Sequence, residues 1–317
     1  MTERFLVCLP MGGFNDALNQ IWRCVSYSKK TNRVMLLDTN YCGLSDDIRN
    51  YFDLDLGCEV GCLSDIGLQI KISPNFLELY DGYNQKYALD ENNTIKRQIL
   101  SDSDEKFRVH FAYGGGDLGI KALERMKPNR NTQDNIFKRL KVFDQNYVAI
   151  HIRNTDMKTS YRAAFNALEK HFLNKRVLLC SDDQNIVDYF IKKYSFYCEI
   201  FITCTKRNTD GSTLHLSSKT NVQMTNYEML TDLYSLAFAE RFFFVDNIHG
   251  SRSGFSVLAA HMLRRLNGIG TPLPFDWRSR GQVFMQSMKK RNFFRIWRAR
   301  QVNYFGGQKF LVHPTYE

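Results

Sequence analysis

Residues 147–183 read YVAIHIRNTDMKTSYRAAFNALEKHFLNKRVLLCSDD, and this stretch decides the fold. Tyr147 to Ile152 is a short apolar run broken only by His151, as expected of a buried strand. Tyr161 to Phe172 follows as a helix, and Val177 to Cys180 is a second short apolar strand. The alternation then continues: helix Gln184 to Tyr194, strand Glu199 to Thr203, helix Tyr227 to Ala239, strand Phe242 to Val245, helix Gly254 to Leu266. Strands separated by helices in this order make a βαβαβ unit with an extension, a Rossmann-like half built on a parallel sheet.

The same pattern opens the chain. Phe5 to Leu9 reads as a strand, Gly12-Gly13 as a turn and Asn15 to Lys30 as a helix. Leu18, Ile21, Trp22 and Val25 in that helix are spaced for one buried face. Val34 to Leu37 is the next strand, ending at Asp38. From about residue 40 to 105 the pattern weakens and turns dominate. Phe107 to Ala112 is a further strand running into Gly114-Gly115-Gly116-Asp117, and a helix follows over Gln133 to Lys141. The expected organisation is an N-terminal α/β domain over 1–142, a C-terminal one over 143–272, and a tail over 273–317. A chain of 317 residues is long enough for two such cores.

Composition excludes several classes. Hydrophobic residues at 44% and charged residues at 24% are those of a folded globular protein. No stretch approaches the roughly 18 apolar residues of a membrane span. The segment Met1-Thr2-Glu3-Arg4-Phe5 lacks the basic start and long apolar stretch of a secretory signal, so a cytoplasmic location is expected. The eight cysteines are scattered, and Cys58 and Cys62 have no second pair to complete a zinc set. Reduced thiols and no metal are the expectation.

Net charge is +10, and nine of the 43 basic residues lie in the tail, which has no acidic residue between Asp276 and Glu317. The remaining 34 basic residues face 33 acidic ones, so the body is nearly neutral. Trp277, Phe284, Phe293, Phe294, Trp297, Tyr304, Phe305 and Phe310 are interleaved with the basic residues of the tail. That mixture suits an anionic membrane surface, and it equally suits a C-terminal helix packed back on the body with solvated charges.

In open parallel sheets, ligands bind beyond the carboxyl ends of the strands. Five motifs fall there. Gly12-Gly13-Phe14-Asn15-Asp16 fits an ordinary tight turn and equally a loop that lets backbone approach a ligand, and it lacks the Gly-x-Gly-x-x-Gly spacing of a dinucleotide fingerprint. His151-Ile152-Arg153-Asn154-Thr155-Asp156 places a guanidinium fork just past a buried strand, where it can hold a diphosphate. A departing nucleoside diphosphate gains charge, so a fixed guanidinium favours the transition state over the ground state. On spacing alone a structural Arg153–Asp156 pair is the favoured reading, and a hydrogen-bonded core histidine is likewise open at His151. Ser181-Asp182-Asp183 closes a strand and opens a helix, as capping residues do. Asp232 stands in an apolar helix, so its carboxylate meets a partner or faces a ligand. Ser251-Arg252-Ser253-Gly254-Phe255-Ser256 puts hydroxyls at a helix start, where they cap the helix or help bind an anion, and Arg252 favours phosphate.

Together these residues resemble the fucosyltransferase superfamily that includes α1,6-fucosyltransferases and protein O-fucosyltransferases, and in size and layout its bacterial nodulation-factor branch. Val148 to Asp156 resembles that family's first motif, His-x-Arg-Arg-x-Asp after a strand, with Ala163-Ala164-Phe165 following. Leu178 to Asp183 is similar to the second motif, and Ser253-Gly254-Phe255-Ser256 to the third. Gly12 to Asp16 resembles the N-terminal glycine loop, and Leu214-His215-Leu216-Ser217 a His-Ser element. The resemblance implies a GT-B fold, with two Rossmann-like domains facing a cleft, and an inverting, metal-independent transfer of sugar from a GDP-sugar to a glycan acceptor, with no separate cofactor. It also implies roles: Arg153 on the diphosphate, Ser253 on phosphate oxygens, His151 and Asp232 at the guanosine, His215 nearby, and Gly12, Gly13 and Asn15 lining the opposite lobe. Two departures stand out. Asn154 replaces the second arginine of the first motif, and Arg162 stands where the α1,6 enzymes carry a basic-catalyst glutamate. Asp16 and Asp156 are the remaining candidates for the base, and the departures leave room for a GDP-sugar other than fucose.

Two other readings set the contrast. The basic aromatic tail suits single-stranded RNA, but the neutral body and the lack of an RNA-binding motif argue against a nucleic-acid partner. Asp53-Leu54-Asp55 offers a carboxylate pair for a metal-dependent GT-A enzyme, yet no apolar strand precedes it, and an exposed acidic turn is expected.

Overall fold

The computed structural model describes residues 3–73, 76–80, 85–88, 102, 104–140, 146–203, 221–250, 252–266, 301–305 and 308–314. The chain forms two compact units, Met1–Asn129 and Arg130–Glu317. The division falls ahead of the helix near 133–141, which is grouped with the second unit instead of closing the first.

The first unit runs β1 (Phe5–Pro10), α1 (Phe14–Thr31), β2 (Val34–Leu37), β3 (Phe52–Leu54), β4 (Val60–Gly61), β5 (Gln69–Ser73), β6 (Phe76–Tyr80), β7 (Gln85–Ala88), β8 (Phe107–Ala112), α2 (Gly119–Leu123) and β9 (Met126–Pro128). Its main sheet has the order β4-β2-β1-β8 with every pairing parallel. The apolar strand β1 is buried throughout and sits inside this sheet. Phe5, Val7 and Leu9 share a core with Phe107, Val109 and Phe111 of β8 and with Leu77 and Leu79 of the antiparallel meander β5-β6-β7. That meander lies in the turn-rich stretch where periodicity gave no clear pattern.

Leu18, Ile21 and Val25 of α1 are fully buried as expected, whereas Trp22 is only part-buried and lies under Lys29. At the amino end of the sheet Arg33 is buried, and its guanidinium reaches Phe5 O (3.1 Å), Glu105 O (2.9 Å) and Asp102 Oδ1 (3.0 Å). A desolvated guanidinium is tolerated where its donors are used in this way. Asp53 and Asp55 are both exposed around the small β3-β9 ribbon, with Asp55 3.9 Å from Arg125.

The second unit runs α3 (Arg130–Leu140), β10 (Val148–Ile152), α4 (Tyr161–Phe172), β11 (Arg176–Ser181), α5 (Gln184–Tyr194), β12 (Glu199–Phe201), α6 (Val222–Phe238), β13 (Arg241–Val245), α7 (Gly254–Leu266), β14 (Gln301–Phe305) and β15 (Gln308–Pro314). The order β12-β11-β10-β13 is parallel, the Rossmann-like half expected from residues 147–266. Val148, Ile150 and Ile152 pack with Phe165, Phe172, Phe190 and Tyr194 of α4 and α5 on one face. Phe165 and Phe190 stand 4.7 Å apart between ring centroids. Side chains alternate along a strand, so Ala149 and His151 face the other side, where the Tyr147 hydroxyl donates to Ser235 O of α6 at 2.6 Å.

Several boundaries shift by one to three residues, α3 and β12 among them, and two places depart further from the expectation. Helix α6 begins five residues before Tyr227, because the Asn221 side chain accepts from the Met224 N–H and caps a polar first turn. In the tail, β14 and β15 form an antiparallel pair that joins the sheet beside β13. A helix over the end of the tail is therefore replaced by strand at 301–305 and 308–314. Residues 267–300 lie outside the described residues. No helix among the described residues is long and apolar enough to cross a membrane.

Candidate active site

In the second unit the chain moves outward from β10 to β11 and β12, then returns to β13 on the other side of β10. The order reverses between β10 and β13, and the loops after these two strands flank the crevice where open α/β sheets bind ligands. The loop after β10 carries Arg153 to Thr159. The loop after β13 carries Asp246 to Ser253. A backbone hydrogen bond from Ile248 N–H to Lys158 O at 2.9 Å ties them together.

Arg153 is held by Asp156. Its Nε donates to Oδ1 at 2.8 Å and its Nη2 to Oδ2 at 2.6 Å, a bidentate pair on a partly exposed side chain. The fork is thus already set for two parallel anionic oxygens. Asn154, where the family motif has its second arginine, is buried and structural. Its amide donates to Asp183 Oδ2 at 2.7 Å, its oxygen accepts from the Thr159 N–H at 2.8 Å, and its backbone N–H donates to Asp182 Oδ1 at 2.8 Å. The Thr155 hydroxyl donates to Asp182 Oδ2 at 2.6 Å. Asp183 also caps α5 by accepting from the Asn185 N–H at 2.9 Å. The second motif therefore braces the first.

His151 is buried, and its Nδ1 lies 2.6 Å from Ser256 Oγ on α7. Burial, and secondarily the Arg153 charge, lower its pKa to about 3, so the ring is neutral at physiological pH. The Phe255 ring lies 5.6 Å from it. Ser253, directly before Gly254 and 3% exposed, has a buried hydroxyl with no hydrogen-bond partner among the described residues. The first turn of α7 contains no acidic residue. An unsatisfied hydroxyl beside the N–H groups of a 13-residue helix start is an arrangement suited to an anion. Arg252 is exposed, with Nε 3.8 Å from Oδ1 of the buried Asp246.

Asp232 accepts from the Thr203 hydroxyl, and Thr203 Oγ1 lies 3.9 Å from Cys180 Sγ, so Asp232 sits at the ends of β11 and β12. His215 lies outside the described residues, as does Ser251.

The first unit has its own reversal, between β1 and β8. Gly12 there has φ +83° and accepts from the Gly43 N–H at 2.7 Å. A Cβ at Gly12 would meet Asp16 Cβ at 2.9 Å. Asp16 accepts from the Gly13 N–H at 3.0 Å and so caps α1. Asn15 donates to Gly116 O at 3.3 Å, as does Asn19 at 3.0 Å, and Gln20 donates to Gly114 O at 2.5 Å. His110 Nε2 lies 2.9 Å from Gln20 Oε1. A seam of buried amides on α1 thus holds the second glycine turn against the first.

Of this seam only Asn15 stood out in the sequence; Asn19 and Gln20 did not, and neither did Asp246. Asp246 directly follows an apolar strand, the position that drew attention to Arg153. Asn19 and Gln20 interrupt an apolar helix next to a glycine run, which was the available signal.

No protein-family profile matches the chain. No curated protein matches it in sequence. Solved structures do. It is similar to the NodZ α-1,6-fucosyltransferase soaked with GDP-fucose, at TM-score 0.52 and 17% identity, over 82% of this chain and 92% of that one. The fucosyltransferase NodZ from Bradyrhizobium matches at TM-score 0.52 and 16% identity, over 82% and 93%. NodZ co-crystallised with GDP matches at TM-score 0.52 and 16% identity, over 82% and 92%. The chain has the two-unit parallel α/β fold of these fucosyltransferases.

Proposed function

We propose that the chain is an inverting, metal-independent glycosyltransferase that moves a sugar, fucose in the first instance, from a GDP-sugar to a hydroxyl of a glycan acceptor. The observation that carries this reading is the unsatisfied Ser253 hydroxyl at the start of α7, on the loop bonded to the one that presents Arg153. An anion of diphosphate size satisfies that hydroxyl and the helix N–H groups, and its oxygens suit the guanidinium fork that Asp156 now fills. The GDP and GDP-fucose carried by the similar NodZ structures support a guanosine donor.

In this mechanism the diphosphate displaces Asp156 from Arg153. The guanidinium and the helix dipole then neutralise charge on the leaving group as the bond to the sugar breaks. Neutral His151 holds Ser256 and orients the first turn of α7. Asp156, once released, is the preferred base for the acceptor hydroxyl, and Asp16 remains its rival although it caps α1. Asp232 takes the guanine N–H groups in place of Thr203, with His215 completing that side. Gly12, Gly13 and Asn15 are assigned to acceptor binding. The tail is assigned to an anionic membrane surface on the cytoplasmic side.

GDP is expected to raise the melting temperature more than UDP or CMP, and Arg153→Ala is expected to abolish that preference and lower turnover ~10²-fold or more while the fold persists. Equal shifts for the three nucleotides would reject the guanosine donor. Near-normal turnover of Arg153→Ala would remove Arg153 from the chemistry. For the tail, charge neutralisation within 278–300 is the suitable variant, because deletion of 277–317 would also remove β14 and β15 from the sheet.

A further inference from the structure

The most exposed large apolar side chain among the described residues lies at the end of the second unit away from the candidate active site. Phe196 is 92% exposed and Tyr197 58%, both on the turn that joins α5 to β12, and Ile191, in the last turn of α5, is 38% exposed. The turn closes on the end of α5: Ser195 N–H bonds Ile191 O at 3.0 Å and Tyr197 N–H bonds Tyr194 O at 2.9 Å. The turn is held in place by the neighbouring α4–β11 turn, because Asn174 N–H donates to Tyr197 O at 2.8 Å and Glu199 N–H to Lys175 O at 3.2 Å. Tyr194 beneath it is buried in the core. Phe196 is therefore a fixed apolar knob, and holding a phenyl ring in water costs free energy that a second surface would recover.

The charge around the knob says what that surface is. Both helices end here on lysines, Lys170 on α4 and Lys192 and Lys193 on α5, with Lys175 in the intervening turn. Two of the acidic residues here are already engaged, Glu169 by Lys193 at 3.0 Å and Glu199 by Arg176 at 2.9 Å, and the remaining one, Glu240, has Arg241 as its neighbour in sequence. Lys170, Lys175 and Lys192 are left as the excess. An aromatic pair between unmatched lysines matches the boundary of a negatively charged bilayer, where rings sit among headgroups and ammonium groups meet phosphate.

We propose that the Ser195–Tyr197 turn, with Lys170, Lys175 and Lys192, docks the second unit on an anionic phospholipid surface. Phe196 enters the headgroup–acyl boundary, Tyr197 stays at headgroup level, and the lysines supply salt-sensitive attraction. This surface belongs to the folded body and acts whether or not the basic tail also binds lipid.

The test is co-sedimentation of the full chain with phosphatidylglycerol–phosphatidylcholine vesicles and with phosphatidylcholine vesicles alone. Binding is expected to the anionic vesicles, with weakening as salt rises. Phe196→Ser should lower the partition coefficient about tenfold. Lys192→Ala should lower it about fivefold. Both positions are exposed, so melting temperatures should match the parent and report an intact fold. Parent-like partitioning of both folded variants would overturn the proposal. So would a parent dimer that Phe196→Ser converts to a monomer without loss of vesicle binding, which would make the knob a self-association surface.

Discussion

Asn154 shows how one residue departs from a motif without loss of local order. Three hydrogen bonds join this buried residue to Asp182, Asp183 and the Thr159 N–H. An arginine there would need room that the packed loop does not offer, and it would leave the Asp183 oxygen and the Thr159 N–H without their present partner. Asn154→Arg is therefore expected to destabilise the protein by ~2–4 kcal/mol instead of adding a second phosphate ligand. A urea titration measures this, and a parent-like midpoint would show that the loop opens easily. Arg153 differs because its side chain is partly exposed and its partner is a single displaceable carboxylate.

At the scale of the element, the two serines at the start of α7 differ in their bonding. Ser256 is bonded to His151, whereas the Ser253 hydroxyl is buried without a partner among the described residues. Removing an unsatisfied buried hydroxyl relieves a desolvation cost. Ser253→Ala is expected to keep or slightly raise the melting temperature of the free protein while shrinking the GDP-induced shift. A fall of several degrees in the free protein, with the GDP shift intact, would make Ser253 a structural cap. Helix α1 makes a parallel point about packing. Its amides reach the Gly114–Gly116 turn, and a Cβ at Gly119 would lie 2.6 Å from Asn15 Oδ1, so the glycine allows the helix and the loop to meet.

At the scale of the whole molecule, among the described residues each unit buries one neutral histidine. The pKa of His110 is lowered to about 4 by burial and then Arg23, and that of His151 to about 3 by burial and then Arg153. The unfolded chain binds these protons near pH 6.5, while the folded chain binds them only well below that. Stability is therefore complete above about pH 6.5 and falls as pH drops toward the folded values, by up to ~1.4 kcal/mol per pH unit per histidine. Urea midpoints measured between pH 7 and 5 should decline, a window in which most carboxylates stay ionised. His110→Gln, which keeps an amide near Gln20, should flatten the slope. An unchanged slope would place the decline elsewhere.

Read without coordinates, the chain discloses its parallel strands, most of its helices and the strand ends where chemistry gathers, because burial enforces period and composition locally. Arg153, Asp156, Ser253 and Ser256 were visible for that reason. The pairing of Arg153 with Asp156, the buried role of Asn154, the capping by Asp16 and the strand pair in the tail were settled only by folding. Each depends on which distant group or turn arrives within hydrogen-bond reach, and no local periodicity encodes that. The knob at Phe196 is of the same kind: an apolar residue in an apolar sequence is unremarked until packing leaves it in water.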